Sequence, residues 1–219
     1  MGKLAFIHTV AGLAERFRQL ARAELGDWSS YAVVDESLLL DTIERGTVSP
    51  RTKQRLTGYV FAAADAGADA VVVTCSTLGG VVDAIRPLSP VPLFRIDRGI
   101  AEAAVRRARR IGVLATLPTT LEPTASLLKT AAAEAGVACE ITSRLCDGAF
   151  AQLRAGDRPA HDAAVRAGFS GLAAGVDLVV LAQASMSDAL GTEGGSAAAP
   201  FLTSPEIGMA EIARRLRSS

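Results

Sequence analysis

Ala70-Val71-Val72-Val73-Thr74-Cys75-Ser76-Thr77-Leu78-Gly79-Gly80 is an apolar run that stops abruptly in small hydroxyl and glycine residues. Leu178-Val179-Val180-Leu181-Ala182-Gln183-Ala184-Ser185-Met186 repeats the plan later in the chain. Apolar runs without alternation are the pattern of parallel strands buried on both faces by helices. Ligands of such sheets collect beyond the C-terminal ends of the strands. Cys75 therefore stands at a sheet mouth, where backbone N–H groups favour thiolate. It is the leading candidate for a catalytic acid or base, and the matching later position carries the amide of Gln183 instead.

Working outward, similar short apolar runs at Leu4–Ile7, Ala32–Val34, Val91–Ile96, Ile111–Ala115 and Val137–Ile141 read as strands, with the quoted runs giving 70–74 and 178–182. Helical stretches fill the gaps at Gly12–Leu25, Pro50–Ala66, Gly99–Arg110, Leu121–Ala135 and Arg158–Ala174. Strand and helix in alternation predict an α/β fold with a mainly parallel sheet covered on both faces.

The plan is written twice. Leu4–Ile7 runs into His8 and Thr9, while Ile111–Ala115 runs into Thr116, and the lead-ins Ala66-Gly67-Ala68-Asp69 and Ala173-Ala174-Gly175-Val176-Asp177 precede the two quoted strands. From Thr9 to Cys75 is 66 positions and from Thr116 to Gln183 is 67. The matched lead-ins favour two similar domains over chance recurrence. Their expected bounds are 1–98 plus 201–219 for the domain carrying Cys75, and 99–200 for the one carrying Thr116 and Gln183.

Composition narrows the partners. The 219 residues include 23 basic and 23 acidic side chains, a zero balance that gives no footprint for nucleic acid or a membrane surface. The one basic cluster, Arg106, Arg107, Arg109 and Arg110, closes a helical stretch and complements its dipole. One Trp and two Tyr do not make a stacking platform for single strands. The first residues enter a strand directly rather than a signal peptide, and no run approaches the roughly 20 apolar residues of a membrane span, so a cytoplasmic protein is expected. Three scattered cysteines fit reduced thiols, and neither CxxC nor a His/Cys cluster suggests a metal. GxGxxG and GK[ST] are missing, which removes support for nucleotide cofactors.

Val73-Thr74-Cys75-Ser76-Thr77, Gly112-Val113-Leu114-Ala115-Thr116, the strand end Val179–Ser185 and the closing Ser204-Pro205-Glu206 occur in an order that resembles the aspartate/glutamate racemase superfamily, which includes hydantoin racemase, maleate isomerase and arylmalonate decarboxylase. The resemblance covers nearly the whole chain. It implies two α/β domains, each a short mainly parallel sheet flanked by helices, related by a pseudo-twofold with the active site in the cleft between them. It also implies a small-molecule carboxylate substrate, no metal or organic cofactor, and a homo-oligomer, commonly a dimer. In two-base members one cysteine from each half faces the substrate carbon.

Here the chain departs from the pattern, since Ala182-Gln183-Ala184-Ser185 supplies no second thiol. A single thiol can still protonate one face of an enolate or act as a nucleophile. His8, at the end of the first strand, is a candidate second base, or a strand-end histidine holding a structural hydrogen bond. Charge developing on a carboxylate needs preorganised donors. Thr116, Thr119 and Thr120 supply them where a helix opens, although Thr119 or Thr120 could simply cap that helix. Thr9, Ser76 and Thr77 serve the first half, and Gln183 and Ser185 suit substrate hydrogen bonding. Asp35 and Glu36 also end a strand, with Asp35 equally suited to capping the helix near Ser37; Asp97 has a similar duality.

Cys139 in a strand and Cys146 beyond it read as structural thiols, and His161 as a solvated helical residue. Cleft walls are expected from loops at Leu38–Val48 and Gly191–Pro200, with the Gly/Ala-rich Gly191–Ala199 as a lid. Two functions fit: a cofactor-independent racemase-like isomerase or decarboxylase working through Cys75, and a carboxylate-binding or sensing protein that kept the cleft and lost the chemistry.

Overall fold

The computed structural model describes residues 1–191 and 199–218. The chain is α/β and forms two compact units, Met1–Gly99 with Gly208 onward, and Ile100–Ile207. Each is built on a four-stranded, all-parallel sheet.

In the first unit β1 (Lys3–His8), β2 (Ser29–Val34), β3 (Ala70–Val73) and β4 (Leu93–Arg95) lie in the order β2-β1-β3-β4. Pleating sends alternate side chains to opposite faces. Ala5, Ile7, Val71 and Val73 meet Leu38 of α2 (Ser37–Arg45), Leu56 and Val60 of α3 (Pro50–Asp65) and Val82 of α4 (Gly79–Ile85). Leu4, Phe6 and Val72 meet Phe17 and Ala21 of α1 (Ala14–Leu25) on the other side. That face is completed by Met209, Ile212 and Ala213 of the last helix, whose residues run Ser204–Arg217. Each large apolar side chain buried in this way contributes about 1.5–3 kcal/mol.

The second unit repeats the order with β6-β5-β7-β8, from β5 (Arg110–Ala115), β6 (Glu140–Leu145), β7 (Leu178–Leu181) and β8 (Phe201–Thr203). Ile111, Val113, Val180 and Leu202 pack on Ile100 and Val105 of α5 (Arg98–Arg107) and on Leu127 and Leu128 of α6 (Pro118–Glu134). Leu114, Val179 and Leu181 pack on Val165, Phe169 and Leu172 of α8 (Arg158–Ala173), which follows the short α7 (Ala149–Arg154). The four-residue α9 (Ser187–Leu190) adds Ala189 and Leu190 to that core, and the Ser204–Arg217 helix is α10.

The shared lead-in has a shared job. Asp69 Oδ2 accepts the Lys3 N–H at 2.7 Å, and Asp177 Oδ2 accepts the Arg110 N–H at 2.9 Å, so each aspartate pins the first residue of its unit's first strand.

Several expectations shift. The strand expected at Val137–Ile141 runs over Glu140–Leu145, because it is an edge strand whose largely exposed side chains need not be apolar. Phe201–Thr203 pairs with β7, which keeps that segment in the second unit until Gly208 rather than returning it to the first at 201. Leu38–Val48 is mostly helix, with Leu38, Leu39 and Thr42 turned inward, not a loop. His161 is not solvated: it is fully buried, with Nδ1 2.7 Å from Asp162 Oδ1. Cys139 lies just before its strand, with Sγ 3.7 Å from the Ala108 carbonyl. Residues 192–198, the body of the expected lid, lie outside the described residues. No described helix is long and apolar enough to cross a membrane.

Candidate active site

β1 and β3 are in register with Ile7 opposite Val73, and the Thr74 N–H donates to the Ile7 carbonyl at 3.1 Å. Two residues further along each strand stand Thr9 and Cys75. Cys75 keeps an extended backbone and is followed at once by a 3₁₀ turn, Ser76–Leu78, closed by Leu78 N–H to the Cys75 carbonyl at 3.1 Å. The small residues permit this tight exit, and Ser76 and Thr77 are buried within it. The turn carries its N–H groups around to the sulfur. Burial pushes the Cys75 thiol above its ordinary value, while the Thr9 hydroxyl, the Leu78 N–H and the Thr77 hydroxyl and N–H pull it part of the way back. The group is a protonated thiol at neutral pH, in a shell of donors that stabilise thiolate.

His8 takes the other side of the pleat. Its ring stacks on Phe6 at 5.6 Å and contacts Phe17 at 5.5 Å, on the α1 face, whereas Cys75 packs with the α3 and α4 face. Nδ1 lies 2.7 Å from Thr74 Oγ1. Burial, with a smaller contribution from the Arg18 charge, lowers its pKa to about 4. His8 and Cys75 are thus not brought together, although Thr9 and Cys75 are.

The second unit carries the counterpart. Gln183 Oε1 accepts both the Thr116 N–H at 2.6 Å and the Thr116 hydroxyl at 3.0 Å. A 3₁₀ turn, Ala184–Met186, again follows, closed by Met186 N–H to the Gln183 carbonyl at 3.2 Å, and half-buried Ser185 lies in it. With its oxygen spent on Thr116, the Gln183 amide NH₂ has no partner among the described residues. At the start of α6, Leu117 occupies the cap position and no side chain caps the helix. Neither Thr119 nor Thr120 is a cap: the Thr119 hydroxyl is buried without a partner among the described residues, and Thr120 is buried with its carbonyl accepting from Thr124 Oγ1 at 2.9 Å.

Asp35 is held by side chains that the sequence did not single out. Oδ1 accepts the Ser37 N–H and hydroxyl at 3.1 and 2.7 Å, Oδ2 accepts the Tyr59 hydroxyl at 2.7 Å, and Arg55 pairs with the same oxygen. Burial raises this carboxyl, but the hydrogen bonds and the Arg55 charge outweigh it and hold it below the ordinary range. The spacing of Arg55 and Tyr59 on one face of α3 was the available signal. Glu36 is exposed and accepts the Ala11 N–H at 3.4 Å. No three His, Cys, Asp or Glu side chains among the described residues form a metal-holding group.

The family model for Asp/Glu/hydantoin racemase matches residues 7–212. Glutamate racemase from Francisella tularensis, solved with D-glutamate, has a similar structure with a TM-score of 0.76, at 12% identity over 99% of this chain and 81% of its own. Allantoin racemase from Klebsiella pneumoniae follows with a TM-score of 0.70, 18% identity, and coverage of 100% and 88%. Unliganded arylmalonate decarboxylase gives 0.59, 16%, and coverage of 99% and 92%. At these identities the likeness is one of fold. A search of curated proteins finds no match.

Proposed function

The chain belongs to the Asp/Glu/hydantoin racemase family, and from that premise we propose that it is a cofactor-independent enzyme acting on a small carboxylate-bearing carbon acid through a single cysteine, Cys75. The observation that carries this reading is the asymmetry between matching strand ends. Thr9 with Cys75 offers a titrating group, and Thr116 with Gln183 offers an amide locked by two hydrogen bonds.

Removing a proton or CO₂ beside a carboxylate generates an enediolate. A thiol whose burial keeps it protonated at neutral pH is suited to deliver a proton to one face of that carbanion, and the Thr9, Thr77 and Leu78 donors stabilise the thiolate left behind. Thr116, Thr119, Thr120 and the Gln183 amide, with Ser76 and Ser185, supply hydrogen bonds to the carboxylate. His8, neutral and turned to the α1 face, supports the strand end rather than the opposite face of a substrate. One-sided protonation favours decarboxylation or isomerisation over two-base racemisation.

The test is NMR in deuterated water with amino acids, hydantoins, malonates and maleate. Deuterium at an α-carbon, or release of CO₂, that disappears in Cys75→Ala supports the enzyme; a product of single handedness supports the one-thiol route. The locked Gln183–Thr116 pair favours a second reading, a carboxylate-binding or sensing protein, because it is a polar, non-titrating cradle. Absence of turnover across the panel, with ligand-induced shifts that survive Cys75→Ala, would select it.

A further inference from the structure

The turn after Cys75 rests on a buried arginine. At the last register position of the β3–β4 pair Arg95 stands opposite Val73, two residues before the thiol on the neighbouring strand. Arg95 is only 5% exposed, and Asp97 only 2%. Arg95 Nε and Nη2 donate to Asp97 Oδ1 and Oδ2 at 2.7 and 2.9 Å, and Nη1 pairs with Asp83 of α4. The guanidinium occupies the space beside Gly79, the residue that ends the 3₁₀ turn, and a methyl group there would overlap it.

The second unit provides an internal control. Its turn has the same form, with Gln183 in the place of Cys75. By register Thr203 stands opposite Leu181 as Arg95 stands opposite Val73. Counting on from these positions, Pro205 takes the place of Asp97 and Ser187 that of Gly79. Where the arginine is missing, so are its carboxylate and the glycine that makes room for it. The 3₁₀ turn itself therefore needs neither.

Taking a guanidinium and a carboxylate out of water is expensive, and an apolar pair of similar volume would brace the sheet as well. What the charged pair adds is orientation, since a bidentate fork fixes both direction and distance. We infer that Arg95, clamped between Asp97 and Asp83 and seated on Gly79, is a positioning residue for Cys75, holding the Ser76–Leu78 turn so that the Thr77 and Leu78 donors stay aimed at the sulfur. The clamp acts through geometry, because two carboxylates already neutralise the cation. Its use in turnover rests on the reading of Cys75 as the reacting group.

The experiment is the pH–rate profile of Cys75 alkylation by iodoacetamide, followed peptide by peptide so that Cys139 and Cys146 are resolved. Arg95→Lys keeps the charge and loses the fork; its midpoint should rise by about one pH unit, making alkylation below the midpoint about tenfold slower. Gly79→Ala should move it the same way by displacing the guanidinium. The triple variant Gly79→Ser, Arg95→Thr, Asp97→Asn places the second unit's serine and threonine at the first two positions and makes the Asp97 side chain neutral, so that no unpaired charge is buried there, and it guards against failure of a single variant to fold. It too should show the raised midpoint. A midpoint equal to wild type in any folded member of this set, with only a lower Tm, would make Arg95 a structural brace and overturn the inference. Turnover of Cys75→Ala is measured separately, so the functional reading and the clamp can each fail alone.

Discussion

His8 Nδ1 sits 2.7 Å from Thr74 Oγ1, across the two strands whose next residues are Thr9 and Cys75. The other ring nitrogen, Nε2, is buried without a hydrogen-bond partner among the described residues. In the second unit the same register positions hold Ala115 and Ala182. The first unit thus buries an imidazole at the end of β1, beside the neighbouring strand that leads to its thiol.

That imidazole makes stability depend on pH. Burial first, and the Arg18 charge second, depress the folded-state pKa to about 4 from 6.5. A depressed histidine leaves the folded state at full strength above 6.5 and weakens it as pH falls toward 4, because the unfolded chain takes the proton more readily. The loss approaches about 3 kcal/mol at the acid end of that window. Urea unfolding at pH 7 and pH 4.5 should show a steeper loss for wild type than for His8→Phe, which has no proton to take up. Equal slopes would place the acid sensitivity in the carboxylates alone.

Cys75→Ala should lower turnover by about 10²–10⁴-fold, the usual contribution of a positioned proton donor. Thermal unfolding should change little, since the side chain is small and half-buried. A variant that keeps full turnover would remove the thiol from the mechanism.

Gln183→Leu leaves the buried Thr116 N–H without its acceptor and should cost about 1–3 kcal/mol in chemical denaturation. Gln183→Glu retains an acceptor oxygen and should recover most of that stability, yet weaken binding of anionic ligands by placing a carboxylate where the amide stood. Calorimetry with a small dicarboxylate separates the two effects.

Tyr59→Phe removes one hydrogen bond from Asp35 and should cost about 1 kcal/mol. The Asp35 carboxyl, held low in the folded protein, should titrate higher in this variant. Because a depressed carboxylate stabilises above its unfolded pKa and ceases to do so as pH falls through its folded one, the variant should lose less stability on acidification. A carbon-detected NMR titration of the Asp35 side chain reads the shift directly.

The central strands were legible because β3 and β7 are buried on both faces, which demands uninterrupted apolar residues. The matching spacings of Thr9 to Cys75 and of Thr116 to Gln183 read in the sequence as a repeated plan, and the side-by-side placement of each pair emerges only from the strand register. Edge strand β6 hid itself by being polar, and β8 by spanning three residues. Arg95 falls inside the run Val91–Ile96 that reads as a strand and Asp97 reads as a strand-end residue, but the turn of Arg95 inward onto Gly79 has no signature in either stretch. The burial of His161 depends on packing in the second unit and has no local signature.

The α1 face of the first sheet, with Leu4, Phe6 and Val72, is completed by Met209, Ile212 and Ala213. A ribosome making this protein releases those strands long before it makes their last covering helix. The nascent amino-terminal half must therefore wait with an uncovered apolar stripe while more than a hundred further residues are polymerised. Loss of Met209, Ile212 and Ala213 would strike strands synthesised long before them.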